Sequence, residues 1–167
     1  MLSKNVEKAL NGQIALEAYA SSSYLAMASW SEGNGLRGSA EFFYAQSAEE
    51  REHMLRLVKY VNEASGHAHI PAIKEPPCSY KSLNETFEIA LQQEKNVTES
   101  INKLVELCFN SKDYASFNFL QWYVAEQHEE ESLFMNILDL FKISGAEPKN
   151  LLLVDKEIKG MHAAAEK

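Results

Sequence analysis

The chain has 167 residues, enough for one domain with a sizeable buried core. Its 24 acidic and 16 basic side chains leave a net charge of −8, which argues against nucleic acid as a partner and suits cations. No apolar run approaches the ~20 residues that span a bilayer, the first residues lack the apolar core of a secretion signal, and Cys78 and Cys108 form no metal or redox spacing. The expected compartment is the cytoplasm, with no membrane partner.

The first helix is expected from about residue 3 to 32, with Ser3 or Asn5 as its N-cap. Its inward line is Val6, Leu10, Gln13, Glu17, Ala20, Tyr24 and Met27, at alternating spacings of three and four. Gly33-Asn34-Gly35 breaks it. A second helix follows at about 39–64, with the line Phe43, Gln46, Glu50, His53, Leu57 and Tyr60 or Val61. Here Glu50 and His53 form a Glu-x-x-His pair on one face of the helix, pointing the same way as the apolar residues. Residues 66–81 contain Pro71, Pro76 and Pro77 and read as a long connection. In a four-helix bundle such a connection lets the third helix run parallel to the second. His67 and His69 within it make a His-x-His pattern in a proline-flanked loop, a weak metal signal.

Ser82-x-x-Glu85 is a capping box that opens a third helix, expected at about 82–110. Its line is Phe87, Leu91, Glu94, Val97, Ile101, Leu104 and Cys108, in which Glu94 is the single charge. After a short turn, a fourth helix at about 113–144 carries Leu120, Tyr123, Gln127, Glu130, Phe134, Ile137 and Phe141. Ser144-Gly145-Ala146-Glu147-Pro148 ends it, and a short fifth helix at about 149–164 is left to cap the bundle or meet another subunit. The fold expected is all-α: one four-helix bundle domain with a long crossover between helices 2 and 3.

The residues that interrupt the apolar lines belong together. Glu17 and His53 stand about 18 residues either side of the first turn, and Glu94 and Glu130 about 18 either side of the second, or roughly 27 Å along each helix. Two hairpins packed together then bring Glu17, Glu50, Glu94 and Glu130 into one core layer, with no Lys or Arg on any of the four lines. Four carboxylates this close cannot all stay ionised without a cation or bound protons. Two divalent metals would neutralise them, and carboxylates with one imidazole suit iron or manganese. Without metal, Glu94→Gln is expected to stabilise the fold by removing one of the repelling charges. Glu49, Glu126 and Glu129 adjoin this layer and read either as a solvated charge run or as a weaker outer metal site. Tyr24, two turns from Glu17, reads either as core packing or as a redox-active hydrogen-bond partner of the site, and Trp122 as packing.

With Glu17, Glu50-x-x-His53, Glu94 and Gln127-x-x-Glu130 in place, the chain resembles a ferritin over its whole length. The run Phe117-Asn118-Phe119-Leu120-Gln121-Trp122-Tyr123-Val124-Ala125-Glu126-Gln127-His128-Glu129-Glu130-Glu131 is similar to haem-free prokaryotic ferritins in particular. The resemblance implies a ferroxidase centre of two irons: Glu17, Glu50 and His53 hold one, Glu50, Glu94 and Glu130 the other, with Glu50 bridging. It counts Gln127 among the metal-binding residues and Tyr24 among the catalytic ones. It makes Glu49, Glu126 and Glu129, sharing Glu130, a third iron site. It also implies oxidation of Fe(II) by O₂ or H₂O₂ and a homo-oligomeric shell of 24 subunits that stores ferric mineral.

Two departures narrow the family. Bacterioferritins and rubrerythrins carry a second Glu-x-x-His on the fourth helix, where this chain has Gln127 and Glu130. Bacterioferritins bind haem through a Met just after the first motif's Glu, where this chain has Arg51, so no haem is expected. The rival readings are a peroxide-scavenging di-iron oxidoreductase without storage and a non-catalytic helical interaction module.

Overall fold

The computed structural model describes residues 2–145 and 148–165, so Met1, Ala146 and Glu147 of the expected stop signal lie outside the described residues. It is all-helical, with α1 Lys4–Gly33, α2 Arg37–Glu63, α3 Leu83–Asn110, α4 Tyr114–Ser144 and α5 Pro148–Ala165. Each long helix buries one stripe, and every residue of the α1 line from Val6 to Met27 is buried, Gln13 and Glu17 included.

The core divides into two apolar blocks with the acids between them. One block gathers Val6, Leu10 and Ile14 of α1, Leu57 and Val61 of α2, Ile101 and Leu104 of α3, and Leu120 and Tyr123 of α4. The other gathers Tyr24 and Met27, Phe42 and Phe43, Phe87, Phe134 and Ile137, joined by Val154 and Ile158 of α5. Helices α1 and α4 run from the first block to the second, whereas α2 and α3 run from the second to the first. The parallel pair α2 and α3 therefore needs a connection as long as the bundle. Residues 64–82 supply it: Ala68 packs on the first block and Tyr80 on the second.

Short turns set the hairpins. Between α1 and α2, Gly35 takes φ +78°, the left-handed conformation that glycine adopts without a side-chain penalty. Leu36 N–H then returns to the Ser31 carbonyl (2.9 Å) and Gly35 N–H to that of Glu32 (3.0 Å), closing a Schellman end. Between α3 and α4, Lys112 takes φ +57°, and the Asp113 carboxylate caps α4 through Ser116 N–H (3.1 Å). On α3, Ser82 Oγ accepts from Glu85 N–H, while Glu85 reaches back to the Lys81 N–H (2.6 Å), one residue earlier than a capping box prescribes.

Helix α2 starts at Arg37, two residues before the sequence signal, and its N-cap Leu36 offers no side-chain acceptor. The cap comes from α5. The buried Asp155 carboxylate accepts from Gly38 N–H (2.9 Å), Ser39 N–H (2.8 Å) and Ser39 Oγ (2.7 Å). Gly38 is what allows this approach, since a Cβ there would fall 1.9 Å from the Asp155 carbonyl oxygen. Asp155→Ala strands buried N–H groups at the positive end of a helix and should cost about 2 kcal/mol. Gly38→Ala should cost at least as much by forcing α5 away. Denaturant unfolding with hydrogen exchange over α5 checks both, and unchanged exchange in α5 would contradict the assignment.

Candidate metal centre

The layer between the two apolar blocks is polar on every long helix. Gln13 and Glu17 come from α1, Gln46, Glu50 and His53 from α2, Glu94 from α3, and Gln127 and Glu130 from α4. All eight are at most 4% exposed. The i, i+3 spacing of Glu50 and His53 puts them on one face, with His53 Nδ1 3.3 Å from Glu50 Oε2. Both Glu50 oxygens and Glu17 Oε2 receive no amide or hydroxyl donor, and the Glu17 and Glu50 carboxyls lie close enough to share a proton when no cation is bound.

The other acids are held. Gln13 Nε2 donates to Glu17 Oε1 (2.8 Å), and Gln46 Nε2 to Glu130 Oε2 (2.8 Å). Glu94 accepts from Gln127 Nε2 (3.0 Å) on one oxygen and from the Tyr24 hydroxyl on the other. Tyr24 both packs and hydrogen-bonds, because its ring also stacks against Phe43 and Phe134. Tyr123 Oη donates to the His53 carbonyl (2.8 Å) and ties α2 to α4.

Burial drives the electrostatics. It pushes Glu17 up to about 7, and it pushes Glu50 well above the carboxylate range, with Glu94, Glu17 and Glu130 adding repulsion. Glu130 is raised well above it by burial and then by Glu94 and Glu49, and Glu94 is raised by burial despite its two donors. Burial lowers His53, favouring the neutral imidazole that binds metals, and raises Tyr24, keeping the phenol protonated. The layer is therefore either protonated or neutralised by cations.

Among the described residues, two groups offer three ligand atoms within 4.8 Å of one another: Glu17, Glu50 and His53, all buried, and Glu49, His53 and Glu126, at the half-buried edge. Buried oxygens without amide or hydroxyl donors, beside a neutral imidazole, are the donor set a divalent iron takes. Glu129 is exposed and stands outside both groups, and Glu130 is absent from the outer one. His67 and His69 have rings 4.9 Å apart but belong to no three-ligand group among the described residues. Trp122 packs edge-on against His53 (5.2 Å) and carries the Arg56 guanidinium over its face (4.2 Å). Sequence reasoning placed Gln13 and Gln46 on the inward lines without giving them partners. An amide one turn from a buried acid was the available signal.

A bundle of four long helices whose core is crossed by a carboxylate and imidazole layer defines a helical metal-binding protein. The chain belongs to the ferritin family: the Ferritin-like domain matches residues 7–144. It is 47% identical over 165 residues to a probable bacterial non-heme ferritin-like protein of Haemophilus influenzae, covering 99% of this chain and 100% of the relative. A bacterial non-heme ferritin of Campylobacter jejuni is 45% identical over 167 residues, with both chains fully covered. Among solved structures, an open pore ferritin from the archaeon Archaeoglobus fulgidus superposes with TM-score 0.93 at 38% identity, over 95% of this chain and 98% of that one. Among the described residues, no helix is long and apolar enough to cross a membrane.

Proposed function

We propose that this chain is the subunit of an iron-storage ferritin that oxidises Fe(II) at a dinuclear centre and keeps the ferric product inside a shell of like subunits. The observation that carries the reading is the buried group Glu17, Glu50 and His53, in which three carboxylate oxygens receive no amide or hydroxyl donor. Iron is the substrate. One Fe(II) binds at Glu17, Glu50 and His53 and the second at Glu50, Glu94 and Glu130, each cation displacing protons from carboxyl groups that burial keeps protonated. Two Fe(II) give up one electron each. With O₂ as oxidant, these two electrons and two protons yield H₂O₂; with H₂O₂ they yield water. Tyr24 and Gln127 hold Glu94 in place, and the outer group of Glu49, His53 and Glu126, with Glu129 nearby, receives or passes on iron.

Storage requires a closed assembly. The protein should elute as a particle many times the 18.8 kDa of one chain, and iron added aerobically should co-elute with it at far more than two per chain. A monomer or dimer at neutral pH would sink the storage reading and leave a di-iron oxidoreductase.

A further inference from the structure

We propose that two buried glutamines, Gln13 and Gln46, are positioning residues, one for each half of the iron-oxidising centre; the inference rests on the dinuclear reading above. Gln13 is 1% exposed and Gln46 fully buried, and a buried amide costs stability unless its polar atoms are paired. Gln13 is paired at both ends. Ser100 Oγ of α3 donates to its Oε1 (2.7 Å), which fixes the amide so that Nε2 must face Glu17 Oε1 (2.8 Å). That grip leaves Glu17 Oε2, the oxygen without an amide or hydroxyl donor, as the free one.

Gln46 is stranger. Its Nε2 donates to Glu130 Oε2 across the bundle (2.8 Å), while its own Oε1 is buried with no partner. An orphaned buried carbonyl costs the fold stability, and an apolar side chain of the same length would avoid it. Packing therefore gives no reason for an amide here, whereas a fixed Glu130 does. The two amides act on different carboxylates from different helices, and Glu50 between them receives no amide or hydroxyl donor, meeting only the His53 ring and the Glu17 carboxyl. With Glu94 held by Tyr24 and Gln127 as well, three held acids and one without such a donor suit a site whose outer ligands are preset and whose middle ligand adapts to both metals. Hydrogen bonds of this kind, one step out from the metal, typically govern 10–100-fold in affinity.

The test uses the assembled protein and Co(II), which binds oxygen and nitrogen ligands without being oxidised by air on the titration timescale. Gln13→Met and Gln46→Met keep length and remove the donor. A Glu126→Ala background clears the outer group. Calorimetric titration with visible d–d spectra should show two Glu50-dependent Co(II) per chain in the parent. Gln46→Met should weaken one by about tenfold or more and Gln13→Met the other, each sparing its neighbour's spectrum. Gln46→Asn, which keeps the amide but falls one methylene short of Glu130, should show the same selective loss, and it reads the point should the Met variant not assemble. Parent-like affinities and spectra in these variants would overturn the positioning roles alone. Absence of Glu50-dependent Co(II) binding in the parent would overturn the dinuclear reading and this inference with it.

Discussion

Replacing Glu50 with alanine should abolish the fast phase of Fe(II) oxidation, whereas Glu129→Ala should leave it largely intact. Glu50 is 1% exposed, receives no amide or hydroxyl donor on either oxygen, and shares a three-ligand group with Glu17 and His53. Its carboxyl also feels Glu94, Glu17 and Glu130 directly, so it is the acid common to both halves of the layer. Removing it disturbs both metals together, and the fast rate should fall on the order of 100-fold or more. Glu129 is exposed and belongs to neither group; its loss should change only the fate of the ferric product. Stopped-flow absorbance at low iron loading compares the two. Equal loss in both variants would draw the outer glutamates into the catalytic layer, and unchanged kinetics in Glu50→Ala would refute the site.

The metal-free protein should lose stability as pH rises. A carboxyl whose pKa is raised by the fold keeps its proton above the pH at which the unfolded chain releases it, so folding takes up protons and rising pH opposes folding. For Glu17 the window runs from the ordinary 4.5 to about 7, worth about 3 kcal/mol. Glu50 and Glu130, pushed well above the carboxylate range, extend the loss to higher pH. Divalent metal should reverse the trend by taking the protons' place. Glu50→Gln removes one such group, so it should stabilise the metal-free protein near pH 8 and hardly at all near pH 4.5. Denaturant midpoints across pH, with chelator present, check this. A gain that is the same at both pH values would mean that Glu50 does not carry the charge cost.

The sequence points instead to Glu94→Gln as the stabilising change, and the structure shows why that choice shifts. Glu94 has donors on both oxygens, Tyr24 and Gln127, which already offset part of its charge cost, so removing that charge gains less than removing one that no amide or hydroxyl supports. The level of the layer was readable because Glu17, Glu50, Glu94 and Glu130 break otherwise apolar lines at matched distances from two glycine- or polar-rich turns. Helical period fixes which face a residue occupies. It does not fix which side chain on another helix it meets. Gln46 finds Glu130 84 positions away, Gln13 finds Ser100 87 away, and Asp155 caps α2 from 117 away. The same limit applies to the start of α2, where the cap lies on a different helix and local signals pointed two residues too late.

Anomalous diffraction from crystals soaked anaerobically in Fe(II) would locate the bound iron. The account predicts two iron peaks per chain in the polar layer, one among Glu17, Glu50 and His53 and one among Glu50, Glu94 and Glu130. Iron confined to the outer group of Glu49, His53 and Glu126, with none between Glu17 and Glu50, would contradict it.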